Sequence, residues 1–258
     1  MRLRSACVAA CLVLSVLLVA CGGGGNNGSA GQPAKGADVC DNLNKAERFR
    51  YSLNYVLDSP QQQNPPADPG PSEPGGEYVL KPSSPSFHIE SKQDGAFQQP
   101  DRADFQLSTP DQPEQKAVRM IRIGQGQWAN LGDAWQILSN PPSFPWGPPT
   151  LCDTFVSPLD LEGVPGTVED LGGTKARHFR VNGAPLSAAA QIFSQSSDFG
   201  RLLKQYDIDL WVDEKEGRPA KLQAVSRVTY PSGRELSWSL SLDLGSYNDD
   251  KIDIKQPI

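Results

Sequence analysis

The chain of 258 residues is 38% hydrophobic and 21% charged with a mean hydropathy of −0.45, which excludes a polytopic membrane protein and leaves room, behind any leader, for one domain of about 200 residues. With 24 Lys and Arg against 30 Asp and Glu, the formal net charge is −6 and the isoelectric point is near 5.0, so the chain lacks the basic stripe that nucleic-acid binding requires. Gly and Pro make up 47 of 258 residues, about 18% against an average near 12%, which indicates a loop-rich all-β domain.

Arg2 and Arg4 precede fifteen uncharged, largely apolar residues, Ala6 to Ala20, in the pattern of a secretory leader. The run is shorter than the roughly 20 residues that span hydrocarbon, so it reads as a cleaved segment and not as a permanent anchor. It ends in Leu18-Val19-Ala20-Cys21, which resembles the lipobox of bacterial lipoproteins. That resemblance implies a signal peptide over residues 1–20, a diacylglycerol on the Cys21 thiol, and acylation of the new amino terminus with a chain such as palmitate. The alternative is an ordinary secretory leader whose cut happens to precede Cys21. Two or three chains on one residue hold a protein at a membrane, each buried methylene adding about 0.8 kcal/mol. Residues 21–37 follow as a Gly-rich tether, beginning Gly22 to Gly25, Asn26, Asn27 and Gly28. Without the leader 22 cations face 30 acids, a net charge of −8 that is unsuited to anionic headgroups and leaves the anchoring to the lipid.

Of five cysteines, Cys7 and Cys11 leave with the leader and Cys21 carries lipid, so the domain, residues 38–258, keeps Cys40 and Cys152. In an oxidising compartment these are expected as one disulfide. Closing a loop of that size contributes about 4 to 5 kcal/mol in the chain-entropy model. A metal pair and a redox pair are the alternatives, and neither has the C-x-x-C spacing that supports it.

Phe49, Tyr51, Leu53, Tyr55 and Leu57 alternate with Arg50, Ser52, Asn54 and Val56, a strand with one apolar face. Asp58 to Gly76 holds six prolines and no periodicity, so it reads as a loop. Gly124-Gln125-Gly126 separates Ile121-Arg122-Ile123 from Trp128-Ala129-Asn130-Leu131 and predicts a hairpin. Residues 140–150 form a Pro-rich loop that is nevertheless apolar, either packed over the core or presenting Phe144 and Trp146 as a lid. Helical signal is confined to residues 187–205, where Ser187 can cap Ala188 to Ala190, followed by Ile192, Phe193, Phe199, Leu202 and Leu203. Alternation returns at Leu210-Val212, at Leu222, Ala224 and Val228, and at Leu236, Trp238, Leu240, Leu242 and Leu244, with turns at Glu216-Gly217 and Pro231-Ser232-Gly233. About ten strands result, in an antiparallel sheet with one wet face.

Catalytic chemistry is poorly supplied. His88 and His178 each lie inside a strand pattern, without G-x-S-x-G or H-E-x-x-H. Asp207, Asp209 and Asp213 share a face with Trp211, either as oxygen ligands for a cation or as the solvated side opposite Ile208, Leu210 and Val212. Asp249, Asp250 and Asp253, near the last turn, read as solvated acids, and Gly124-Gln125-Gly126 is no phosphate loop because a strand follows it. No catalytic residue, metal ligand or cofactor is implied.

Three stretches carry a wider resemblance: Gly172-Gly173-Thr174-Lys175-Ala176-Arg177-His178-Phe179; Tyr206 to Asp213 with the turn Glu214 to Arg218; and Leu242 to Asp249 with Ile252-Asp253-Ile254-Lys255-Gln256-Pro257. These are similar to the Trp-(Val/Ile)-Asp hairpin and terminal strand of the LppX/LprG lipoproteins and their relatives LolA and LolB, over about residues 40–257. The resemblance implies a mainly-β fold: one curved antiparallel sheet, a half-barrel, with a small helical insert across its concave face and an apolar cavity that takes acyl chains. The two long Pro-rich loops depart from the compact members. By physics alone, an apolar sheet face with so little helix to cover it must pack another layer or hold a ligand.

The implied function is a membrane-anchored lipoprotein that binds and carries lipid or acyl chains in the cell envelope, at the extracytoplasmic face of the bacterial cell membrane. An envelope exporter or acceptor protein is the expected partner. Phe49, Tyr51, Leu53, Ile192, Phe193, Leu203, Leu240 and Leu242 are the expected cavity lining. The alternatives are a non-enzymatic sensor or regulatory lipoprotein of the same fold that binds a protein partner, and a structural lipoprotein whose cavity is filled by its own side chains.

Overall fold

A computed structural model describes residues 33, 35–59, 86–112, 114–132, 134–138, 147–185, 205–229 and 235–257. Helix α1 (Gly36–Asn44) leads into strands β1 (Arg48–Ser59), β2 (Phe87–Gln98), β3 (Arg102–Ser108), β4 (Val118–Ile123), β5 (Gly126–Asn130) and β6 (Trp135–Ile137). A short helix α2 (Pro148–Leu151) continues as a π-helical segment over Cys152–Val156, and β7 (Gly166–Leu171), β8 (Thr174–Pro185), β9 (Gln205–Asp213), β10 (Pro219–Thr229) and β11 (Glu235–Gly245) follow. No helix among the described residues is long and apolar enough to cross a membrane.

All eleven strands join one antiparallel sheet in the order β6-β5-β4-β3-β2-β1-β11-β10-β9-β8-β7. Two meanders of hairpins are stitched together where the first strand pairs the last, Leu53 opposite Leu242 and Tyr55 opposite Leu240. β6 and β7 remain free edges, so the sheet is an open half-barrel and not a closed barrel. The architecture is the mainly-β single sheet expected, with one strand more than the alternation suggested. The turns fall where glycine permits them: Gly172 and Gly173, at φ of 64° and 95°, reverse the chain between β7 and β8.

The period-two pattern decides which side is buried. Phe49, Tyr51 and Leu53 of β1 share a face with Leu240 and Leu242 of β11, Leu222 and Ala224 of β10, Ile208, Leu210 and Val212 of β9, and Phe179 of β8. Val39 and Leu43 of α1, then Leu151, Phe155 and Val156, lie on this face and complete one apolar core. Phe155 packs edge-on against Tyr206 at 5.5 Å and tilted against Trp238 at 5.3 Å, while the Tyr206 hydroxyl donates to the Phe155 carbonyl at 2.8 Å. Burial pushes the Tyr206 phenol up to about 12. The Cys40–Cys152 disulfide ties α1 to the π-helical segment across 112 residues of sequence. Their contact is close enough that a Cβ on Gly36 would fall 1.7 Å from the Val156 carbonyl oxygen.

Two differences from the sequence reading have physical causes. The described helical cover comes from residues 36–44 and 148–156, too short or too Pro-rich for a periodic signal, whereas the segment 187–205 lies outside the described residues. The opposite face of the sheet is also not simply wet. Ile252 and Ile254 of the C-terminal tail bury themselves against Ala96 and Ile121, with Ile123, Trp128 and Trp135 around them. Arg48 and Arg102 hold the tail there, donating to the carbonyls of Ile252 and Ile254 at 3.1 and 3.0 Å, and the Ile254 amide donates to Gln98 at 2.9 Å.

Candidate functional site

Among the described residues the core fills the inward face over β8 to β11 and β1 and reaches Phe97 and Ala103, and beside it the face over β2 to β5 holds a groove. Three cross-strand rows form its floor. One runs Phe49, Phe97, Ala103, Arg122, Gln127; the next Tyr51, Gly95, Phe105, Met120, Ala129; the third Leu53, Gln93, Leu107, Val118. Small residues keep the floor low in the middle, Ala103 in the first row and Gly95 in the second. A Cβ on Gly95 would meet Phe105 Cβ at 2.5 Å, so only glycine lets β3 come this near.

The groove holds about 530 Å³ of unfilled space open to solvent at its mouth, lined by Tyr51, Gln93, Ala103, Phe105, Leu107, Met120, Ile121, Arg122, Gln127 and Gly147. A mostly apolar wall with a few polar groups is the chemistry typical of small-ligand sites. Among the described residues Arg122 is the one charged residue in the lining. Its guanidinium lies against the start of α2, where a Cβ on Gly147 would be 3.3 Å from Nη2. Burial pushes the Tyr51 phenol well above its ordinary value, and the Arg122 charge pulls it back in part.

A second depression, on the outer face, has the opposite chemistry. Arg50, Asp94, Asp104 and Arg119 line it, and Arg119 is already satisfied by a fork to Asp104 at 3.0 and 2.6 Å.

The expected cavity residues fall into three groups. Tyr51 is a wall of the groove. Phe49, Leu53, Leu240 and Leu242 share its face and are buried in the adjoining core. Ile192, Phe193 and Leu203, the lid pair Phe144 and Trp146, and Cys21 lie outside the described residues. Sequence reasoning did not single out Phe105, Leu107 or Met120, although Ala103, Phe105 and Leu107 alternate and so signal a face. Arg122, Gln93 and Gln127 carried no signal, since a polar residue in a short strand is normally read as pointing outward.

The other chemistry-bearing residues are engaged elsewhere. His178 lacks a partner nearby in sequence, yet its Nδ1 sits 2.9 Å from Glu169 and its Nε2 2.6 Å from Asp209, with the ring stacked 4.1 Å from Trp211. The Trp211 indole donates to Glu169 at 2.7 Å, and this bond and the His178 contact hold the Glu169 carboxyl below the usual carboxylate range. Both imidazole nitrogens thus face carboxylates of neighbouring strands. Asp207 accepts from the Gly183 amide and Asp213 from the amides of Lys215 and Glu216, so these acids secure turns. Among the described residues no group of three or more His, Cys, Asp or Glu is placed to hold a metal ion.

No family model and no curated protein matches the chain. Among solved structures it is similar to LprF from Mycobacterium bovis, at 7% identity and a TM-score of 0.43, with 85% of this chain and 93% of that one covered. It is similar also to a LolA superfamily protein from Nitrosomonas europaea, at 9% identity and a TM-score of 0.28, covering 86% and 96%. The Pseudomonas aeruginosa MucA/MucB complex matches at 12% identity and a TM-score of 0.28, covering 81% of this chain and 58% of that one. At such identities and TM-scores these likenesses place no function on the chain, and its architecture rests on its own strand order and register.

Proposed function

We propose that this protein binds an acyl chain of a lipid in the groove over β2 to β5 and carries it in the cell envelope, held to the extracytoplasmic face of a bacterial membrane by lipid on Cys21. The observation that supports this reading is the apolar groove walled by Tyr51, Ala103, Phe105, Leu107 and Met120, in which Phe105 and Leu107 stay part-exposed on the face that elsewhere packs into a dense core. Such surface is stable only when covered, and a chain of methylenes covers it without needing directional partners. About fourteen buried methylenes supply roughly 11 kcal/mol before entropy and strain are subtracted. The role is binding and carriage, not bond-making, and an exporter or acceptor protein in the envelope is its natural partner.

The experiment is native mass spectrometry with solvent extraction on the chain from residue 21 onward carrying Cys21→Ser, exported behind an ordinary cleavable leader so that Cys40 and Cys152 pair. A stoichiometric co-purifying lipid is expected. Protein that emerges empty and also refuses added palmitate would overturn the proposal.

A further inference from the structure

We propose that the groove selects amphiphiles with an anionic head, carboxylate or phosphate, and that Arg122 is the residue that reads the charge. The inference rests on the groove being the binding site and adds the class of ligand it takes.

Arg122 sits on the inward face by register, between Ala103 on β3 and Gln127 on β5, and lines the groove with Phe105 and Met120 as near neighbours on the floor. Among the described residues, no ion pair or hydrogen bond is made by its side chain and no acid lines the groove. The contrast with Arg119, three residues back and on the outer face, is direct: that guanidinium is forked onto Asp104. An arginine is charged at every physiological pH, so it cannot relieve partial burial by losing its proton. Placing one in an apolar groove is unfavourable unless an anion comes to it.

An amphiphile brings both missing partners at once. Its chain covers Tyr51, Phe105 and Leu107, and its head receives the planar fork of Arg122 in surroundings where a charged hydrogen bond is stronger than in water. The amides of Gln93 and Gln127 flank the same space and can donate to a second oxygen of the head. A neutral ester or alcohol of the same chain length covers the floor equally and leaves the cation bare.

The test measures binding of a sixteen-carbon fluorescent fatty acid and of its methyl ester to the same exported chain. The acid is expected to bind about tenfold or more tightly than the ester, the scale of one charge-assisted fork. Arg122→Gln should remove the preference of the acid over the ester, while Arg122→Lys keeps part of it. Should Arg122→Gln fold poorly, Gln127→Glu places an acid opposite Arg122 in the register and is expected to cancel the preference by pairing with it. Competition by hexadecyl phosphate as strong as by palmitate shows that both head chemistries are accepted. Competition by one alone assigns the head, whereas inorganic phosphate competing as well as the amphiphiles would overturn the proposal. Equal affinity for acid and ester in the unaltered protein would also overturn it and leave the groove as an acyl site. Failure of both ligands to bind would instead overturn the groove reading itself.

Discussion

Over β8 to β11 and β1 the inward face of the sheet is packed solid, whereas over β2 to β5 it holds a groove, and there β4 and β5 turn Ile121, Ile123 and Trp128 to the outer face. The difference lies in what is laid upon the two halves. α1 and the segment 148–156, clipped by Cys40–Cys152, bring Val39, Leu43, Leu151, Phe155 and Val156 down onto Leu210, Leu222 and Leu240. Beyond β1 the groove is bordered by Gly147, at the start of α2. One face of one sheet therefore serves as core or as site according to its cover, and the open half is further lowered by Gly95 and Ala103.

The largest expected effect comes from putting a charge in the solid half. Leu240→Asp buries an unpaired carboxylate beneath the helices and should cost about 4–5 kcal/mol in a urea melt, enough to unfold much of the chain. Near-normal stability of that variant would show the solid half to be far looser than its packing implies. Replacing Cys40 and Cys152 together by Ser is expected to cost about 3–4 kcal/mol and to raise hydrogen exchange first in α1 and the segment 148–156. Exchange that rises uniformly over the sheet would mean the clip is not specific to the cover.

Ending the chain after Asp250 removes Ile252 and Ile254 from the outer cluster, about 3 kcal/mol at ordinary burial values, and exposes Ala96 and Ile121 beneath the hollow half. Dye binding to the newly bared surface tests it. Leu107→Ser, on the groove floor, should cost under about 1.5 kcal/mol of stability while weakening acyl binding severalfold. The reverse pattern, a large stability loss with binding retained, would place Leu107 in packed core.

The smallest effect is alkaline. Burial holds the phenols of Tyr55 and Tyr206 at about 12, the Tyr55 phenol against a lowering hydrogen bond from Trp238, whereas an unfolded tyrosine ionises near 10. The unfolded chain therefore loses protons first, so the stability contributed by these groups is complete below pH 10 and is lost as pH rises from 10 toward 12. Ultraviolet titration of phenolate against the unfolding transition checks this sign.

Much of the fold is legible in the sequence because alternation over a long strand has a single reading. Phe49 to Leu57 and Leu236 to Leu244 announce themselves, and Gly124-Gln125-Gly126 and Glu216-Gly217 announce hairpins. The pairing of Cys40 with Cys152 follows from there being only two left in the domain. The outer cluster around Ile252 is not legible, because two isoleucines spaced by an aspartate in a tail show nothing of what they cover. Nor is the engagement of His178, whose partners Glu169 and Asp209 are brought in from neighbouring strands β7 and β9.

The amino-acid sequence by itself determined which residues are apolar and with what period, and hence an antiparallel sheet with a face that has to be covered. Those are properties of the chain alone, set by side-chain chemistry and the two-residue repeat of a strand. Only the tertiary structure decided where the cover stops, since that depends on β1 pairing β11 at the centre of the sheet and on a disulfide that holds the helices to one side. The same assembly carried Phe105, Leu107, Met120 and Arg122 into one groove, for a side chain's role is fixed by its neighbours across the sheet and not by those along the chain.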